Sequence, residues 1–343
     1  MSVQKLVLDY LMSHRNQPVS GQLLAEEFSV SRNAVWKAIN TLREKGYHID
    51  SQRNIGYHLK AFSHQLDSEQ ILHQIDEIWK DLYVENHQIV TSTNDLAKQY
   101  NITNRGQNAL FIAEKQTQGR GRRGRAFHSD LSQGLYFSLT LKPKVEDPQD
   151  VPRYTIAAAT ALVQTIEALT DKKIQIKWVN DLFYKGRKIA GILSEAVTDL
   201  ETGGFSGIVI GIGLNLSGDF TAAPQDVKEV AGTLFGESLP DSFNPNLFLK
   251  TFLNYFGLYH LDLLSPHFMA IYRQHLLGLN QEVTYQLNQE EHSGIIEGID
   301  EDGHLLVRQP SGHLETLIGQ EVHFSSKQFT HQVDEREIIQ DEN

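Results

Sequence analysis

Apolar positions near the start of the chain fall at helical spacing and then give way to short alternating runs. Val3, Leu6, Val7, Tyr10 and Leu11 share one side of a 3.6-residue repeat, which predicts a helix over residues 3–12. Ser20 stands as an N-cap before a second apolar stretch ending at Phe28, and a break follows at Ser29-Val30. Ser31 caps a third helix with Val35, Ile39 and Leu42 on its buried side and Gly46 as its stop signal. Residues 47–50 and 56–59 then read as two strands. Residues 61–83 form a polar, helix-patterned connector with Ile71, Leu72, Ile75, Ile78 and Trp79 as its apolar positions. A strand is predicted at 135–141, with Leu135, Phe137, Leu139 and Leu141 on one face. Helices follow at 248–264 and 268–277. The last pattern is a set of short strands at 283–285, 294–296, 305–307, 314–317 and 322–324, with turns at Asp302-Gly303 and Ser311-Gly312, the pattern of a small β-barrel.

Composition narrows the class. The 343 residues contain no cysteine, which excludes disulfides, thiolate metal sites and cysteine nucleophiles. The first residues carry Lys5, Asp9 and Arg15 among their apolar positions, unlike a secretory signal. The most apolar stretch, 204–216, is too short to span a bilayer and is broken by glycines. A cytoplasmic protein with no membrane association is expected. The net charge of −12 argues against nucleic acid until its distribution is considered. Residues 1–60 hold eight Lys/Arg against five Asp/Glu, a net +3, and the rest carries 23 against 38, a net −15. A basic unit at one end of an acidic body suits DNA held at that end only.

That unit has the pattern of a helix-turn-helix, opening at Gly21 and closing at Asn40. Ser31, Arg32, Asn33 and Lys37 lie at or near the start of its second helix, where such proteins meet base edges and phosphates. The two strands around Arg53 and Asn54 form a wing, with Arg53 as its cation. A helical domain used only for protein contacts would show the same spacing. The two caps, the basic face and the wing together favour DNA.

Four segments of the body carry chemistry. Ser92, Thr93 and Asn94, in the run 91–95, open a helix and offer hydroxyls and an amide to a polar head, although an N-cap cluster reads the same way. Residues 116–125 begin at Gln116 and run through Gly119, Arg120, Gly121, Arg122, Arg123, Gly124 and Arg125. Their glycines allow close backbone approach, and their arginines are planar forks for phosphate or carboxylate. No Gly-Lys-Ser/Thr follows, so this is not a P-loop. The third segment is Lys177-Trp178-Val179-Asn180-Asp181, a hairpin through Lys185-Gly186, and a strand placing Lys188, Ala190, Ile192 and Ser194 on one face. Snorkelling at a sheet edge is one reading of Lys188. Gly191 beside it favours a pocket instead, since a missing side chain suits a closely held ligand. The fourth is Gly211-Ile212-Gly213-Leu214-Asn215 at a strand end.

In this order the segments resemble biotin–protein ligases over nearly the whole length, and in particular the bifunctional class that also represses biotin operons through a winged helix. The family's Gly-Arg-Gly-Arg-Arg-Gly loop is matched in full at 119–124. The resemblance implies an α+β multidomain chain. Residues 1–61 would be a winged helix-turn-helix and 62–83 a helical connector. Residues 84–277 would be a mixed α/β catalytic domain of the class II synthetase and lipoate-ligase type, and 278–326 an SH3-like β-barrel. Residues 327–343 would be a poorly ordered acidic tail. It implies ATP with Mg²⁺, and biotin as substrate, giving biotinyl-5′-AMP and then a biotinylated lysine on a carboxylase carrier domain. It also implies an operator DNA and a ligand-induced homodimer. Carried over by position, Ser92, Thr93, Asn94, Gln116, Arg120, Gly121, Arg122, Lys188 and Gly191 contact biotin. Arg122, Lys188 and Asp181 serve the chemistry, Asp181 by orienting the incoming lysine, while Asn180 and Asn215 lie near the nucleotide. No structural metal is expected, because the histidines show no paired ligand spacing. Val179 stands where the family often has Pro. Residues 217–235 lack the Trp that some relatives stack on adenine, which leaves Phe220 or Phe235 as the aromatic. Alternatives are a lipoate-type ligase and a ligand-sensing regulator without catalysis.

Overall fold

The computed structural model describes residues 2–15, 17–52, 55–129, 133–144, 150–198, 205–264, 267–288, 290–319 and 322–329. Arg53 and Asn54 of the expected wing, and the acidic run from residue 330 on, lie outside them. The chain divides into two compact units, residues 1–80 with 242–251, and residues 81–241 with 252–343.

The first unit contains α1 (Val3–Ser13), α2 (Gly21–Glu27), α3 (Arg32–Glu44), β1 (His48–Gln52), β2 (Gly56–Ala61) and α4 (Ser68–Leu72). Its helix starts are fixed by serine caps. Ser2, Ser20 and Ser31 hydroxyls accept from the amides of Lys5, Leu23 and Ala34, satisfying N–H groups that have no partner inside the helix. α3 stops at Gly46, whose positive φ of 87° suits a residue without a Cβ. Val7, Leu11, Leu24, Val35, Ile39, Leu42, Ile49 and Leu59 close one core beneath α1–α3 and the antiparallel β1–β2 hairpin.

The connector departs from the helix its spacing predicts. It holds only α4 and a 3₁₀ turn at Glu77–Trp79, and Gln74 in the left-handed region separates the two. Side chains consume the backbone groups a helix would need. Asn246 takes the amide of Asp67 at 2.8 Å and gives its own Nδ2 to the carbonyl of Gln65 at 2.7 Å.

The second unit is built on a mixed sheet of seven strands: β3 (Tyr83–Val90), β4 (Ala109–Gln116), β5 (Gln133–Leu141), β6 (Gln175–Lys177), β7 (Asp181–Tyr184), β8 (Arg187–Thr198) and β9 (Phe205–Ser217). The order is β3-β4-β5-β9-β8-β7-β6. Only β3 and β4 run parallel, joined by α5 (Thr93–Thr103); the remaining pairs are antiparallel. The helix α6 (Val151–Leu169) lies between β5 and β6, and α7 (Gln225–Lys228), α8 (Pro245–Leu261, assigned to the first unit as far as Thr251) and α9 (His267–Gln274) follow β9 in the chain. The last strands, β10 (Glu282–Leu287), β11 (Glu290–Ile299), β12 (Leu305–Arg308), β13 (Leu314–Leu317) and β14 (Val322–Phe324), form a five-stranded antiparallel sheet ordered β13-β12-β11-β10-β14. No helix among the described residues is long and apolar enough to cross a membrane.

β9 shows how sequence sets the two faces of the large sheet. Ile210 and Ile212 face the side covered by α6 and α8, where Thr155 bonds Ser194 opposite Ile210, and Phe252 packs on Phe137 opposite Ile212. On the other side, Val209 packs under α5, and Gly211, Gly213 and Asn215 continue the same face. The glycines therefore fall on one side only, and that side carries the cavity.

Candidate active site

A cavity of about 350 Å³ opens over this glycine-bearing face. One wall is the start of α5. Ser92 occupies the N-cap position without a side-chain capping bond, so the plain N-cap reading of this cluster does not hold. The amide of Thr93 is satisfied instead by Gln116 Oε1 at 2.8 Å, which ties β4 to the helix start. Ser138 donates its hydroxyl in the direction of Thr93 Oγ1 and Asn94 Oδ1, at 2.7 and 2.6 Å. Asn94 Nδ2 donates to Glu195, whose other oxygen accepts from Lys98. The result is a rigid polar socket in which Ser92, Thr93 and Asn94 are all buried.

The opposite wall is the loop after Gln116. Gly121 N–H bonds the Arg125 carbonyl at 2.7 Å, and an isolated bridge joins Arg120 to Ala126, so the run folds back as a hairpin-like flap. Phe127 at its end rests on the sheet. A Cβ on Gly213 would lie 2.6 Å from its ring and one on Gly191 3.0 Å, and these two glycines are cross-strand partners. A Cβ on Gly211 would collide with Asn94 Oδ1. The space that glycine leaves open at these positions is thus filled by the two cavity walls, Asn94 and Phe127. Arg120 borders the cavity, but its guanidinium pairs with Asp95.

The charged centre lies on β7 and β8. Alternation predicted Lys188 on the face of Ala190, Ile192 and Ser194, and the structure corrects this. Ala190 pairs with Leu182 and Lys188 with Phe183, which leaves Ile189 as a one-residue bulge. The bulge moves Lys188 to the face of Gly191 and Asp181, and its Nζ comes within 2.7 Å of Asp181 Oδ1. Lys177 Nζ lies 3.9 Å from the other oxygen and donates to Phe324 O and Ser326 Oγ at 3.0 and 2.7 Å. Burial alone raises the Asp181 carboxyl pKa, but Lys188 and Lys177 together outweigh it and hold the group below its ordinary value. Burial is also the largest influence on Lys177 and brings it down to about 8, against the pull of Asp181. Arg122 donates to Asn180 Oδ1 at 3.2 Å and to the carbonyl of Gly319. Trp178 Nε1 donates to Gly303 O at 2.9 Å. Three neighbouring side chains thereby grip backbone carbonyls in β14 and in loops of the five-stranded sheet. Among the described residues, Asn215 Oδ1 is buried without a partner, although its Nδ2 reaches Gly232 O at 3.1 Å.

Comparison with known proteins fits this layout. Residues 77–215 match the biotin/lipoate A/B protein ligase family, residues 278–326 the biotin protein ligase C-terminal domain, and residues 3–58 an HTH domain. The chain is a homologue of the bifunctional ligase/repressor BirA. It is 29% identical over 314 residues to the bifunctional ligase/repressor BirA of Bacillus subtilis (strain 168), covering 91% of this chain and 95% of that protein. Against BirA of Escherichia coli (strain K12) it is 28% identical over 313 residues, 90% and 93% of the two chains. The biotin protein ligase from Aquifex aeolicus, solved in complex with biotin and ATP, superposes with a TM-score of 0.57 at 25% identity, over 71% of this chain and 99% of that one.

In this BirA homologue the cavity gathers Ser92, Thr93, Asn94, Gln116, Arg120, Gly121, Arg122, Asn180, Asp181, Lys188, Gly191 and Asn215. Of the two aromatic candidates, Phe220 lines it and Phe235 does not. Lys177, Phe127, Ser138 and Glu195 are additions that reading the sequence missed. Lys177 stands inside a motif run and Phe127 two residues beyond one, but their neighbours are brought in by folding. In the first unit, Ser31, Arg32, Asn33 and Lys37 are all exposed on the start of α3.

Proposed function

We infer that the protein activates biotin with ATP to biotinyl-5′-AMP, passes the biotinyl group to a lysine of a biotin carboxyl carrier domain, and binds DNA through α3 as a biotin-responsive repressor. One observation carries the enzymatic reading: two lysines, Lys177 and Lys188, converge on a single buried carboxylate, Asp181, with Arg122 bonded to the adjacent Asn180, beside an uncharged polar socket. A centre with surplus positive charge suits a carboxylate and a polyphosphate, and the neutral socket suits a polar ring.

In the first step a biotin carboxylate oxygen attacks the α-phosphorus, and the bond from phosphorus to the bridging oxygen breaks as pyrophosphate leaves. Negative charge gathers on the phosphoryl oxygens, where Lys188 and Arg122 are already fixed by their partners and need no reorganisation. Mg²⁺ enters with ATP as part of the substrate, held chiefly by phosphate and water oxygens. Asn215 Oδ1 suits an amine or hydroxyl of the nucleotide, which would satisfy its buried lone pairs. In the second step the neutral amine of the carrier lysine attacks the acyl carbon, AMP leaves, and the amine gives up its proton. Asp181, already shared by two lysines, orients that amine. The flap at 119–125 excludes water from the mixed anhydride meanwhile.

Adenylate is the signal for a homodimer that presents two copies of α3 to a palindromic operator. The reaction belongs in the cytoplasm, where its ATP is supplied.

The test is labelling of a purified carrier domain with ATP, Mg²⁺ and either biotin or lipoate. Biotin-dependent labelling with pyrophosphate release is expected. Labelling with lipoate alone would move the chain to the other branch of its family, and folded protein that forms no adenylate would leave a ligand-sensing regulator.

A further inference from the structure

The chain has three tryptophans, and two are buried: Trp79 at 0% and Trp178 at 7% exposure. Trp36 is 52% exposed, in the middle of α3. An indole left in water forgoes the gain from burying it, so its place on the helix matters. Val35, Ala38, Ile39 and Leu42 form the buried side of α3. With 3.6 residues per turn, Trp36 then lies about 110° from the centre of that side, on the flank, next to Arg32, Asn33 and Asn40, with Asn33, Lys37 and Asn40 facing directly away from the core. Arg43 donates to Ile49 O at 2.9 and 2.7 Å and to Asn40 Oδ1 at 3.4 Å, so it steadies that face rather than reaching outward.

The surroundings select the occupant. Arg32 and Lys37 are exposed cations beside the indole, on the one end of the chain with net positive charge, a setting that suits a polyanion such as the DNA backbone. In the major groove the floor presents polar edges with one apolar group, the C5-methyl of thymine, next to an acceptor, O4. Trp36 offers an apolar ring and a single N–H donor. It matches that pair of features, and no other base shows both.

We propose that Trp36 is a specificity-determining residue of the DNA interface and reads thymine through its methyl group. This rests on the DNA-binding reading of the first unit. Arg32 and Lys37 hold the phosphates and set the position of the helix, and Trp36 decides which base edge is accepted.

The experiment uses the full chain with biotin and ATP to enrich sites from a random duplex library. Single thymine-to-uracil replacements in the enriched site then remove one methyl each. At one or two positions the replacement weakens wild-type binding about four-fold, the value of one buried methyl (about 0.8 kcal/mol at 1.4 kcal/mol per ten-fold). Trp36→Ala binds the site more weakly and no longer distinguishes thymine from uracil there, and Trp36→Phe retains part of the distinction. Acrylamide quenching of Trp36 fluorescence falls when the site is bound. Thermal unfolding of each variant checks that it is folded. Enrichment of a site by wild-type protein, with Trp36→Ala equally sensitive to uracil, overturns the proposal and leaves DNA binding standing. No enrichment overturns both. Loss of self-association in Trp36→Ala, with DNA affinity intact, would assign the face to a second copy instead.

Discussion

Lys188 places its Nζ 2.7 Å from Oδ1 of Asp181, and it does so because Ile189 is bulged out of the β7–β8 ladder. Without the bulge the lysine would face α6 and the carboxylate would keep Lys177 at 3.9 Å and the Asn180 amide at 3.2 Å. Asp181→Asn removes the counter-charge while keeping the shape. We expect pyrophosphate exchange to fall at least 100-fold and stability to drop by roughly 3 kcal/mol, the low end for breaking a buried pair because Lys188 is partly open to water. Wild-type exchange in the Asn variant would show that the pair is only structural.

Lys177 carries a pH signature. Its folded pKa of about 8 lies below the lysine value of 10.5. Between those limits the unfolded chain binds a proton that the folded chain has released, so stability from this group rises with pH across the window. It gains nothing further above it. The rise amounts to about 3 kcal/mol. Urea unfolding at neutral and at alkaline pH should show this slope in the wild type and a flatter one in Lys177→Met. Equal slopes would place Lys177 among ordinary surface lysines.

Arg122 joins the flap to Asn180 and to the Gly319 carbonyl, so it is the stitch between the cavity mouth and the five-stranded sheet. Arg122→Gly should still form adenylate but release it. The measurable consequence is biotin label on bystander proteins such as serum albumin. Labelling confined to the carrier domain in this variant contradicts the role assigned to it.

Gly211 has room for no side chain, since a Cβ there meets Asn94 Oδ1. Gly211→Ala must push Asn94 off its bonds with Ser138 and Glu195. A stability loss of about 1–3 kcal/mol is expected from overpacking. Biotin affinity measured by calorimetry should weaken ten-fold or more with little change for ATP. An unaltered biotin affinity would remove Asn94 from the socket.

Much of this was legible in the primary structure, for identifiable reasons. Serine caps and the Gly46 stop signal are local, so the helices of the first unit emerge close to their observed limits. The flap announces itself because glycines and arginines rarely alternate without a ligand to hold. Long-range causes are what escaped. The partners of Lys177 lie 147 and 149 residues away in the chain. The Ile189 bulge leaves no trace in an alternating pattern, so alternation puts Lys188 on the face of Ala190 while the structure puts it on the cavity side. α6 is buried nearly all round, and a helix without a polar side gives no amphipathic period. The connector shows a helical period because Ile71 and Trp79 are both buried, yet Asn244 and Asn246 claim its backbone at the carbonyls of Ser63 and Gln65.

Gly191 and Gly213 face each other across the ladder with the Phe127 ring upon them. No residue is smaller than glycine, so the ring is seated as low on the sheet as a protein can place it. A methyl added to either strand meets Phe127 before it meets any ligand, and it lifts the end of the flap rather than filling the cavity. The height of that wall is thus set from beneath, by two residues that offer no side chain to a ligand.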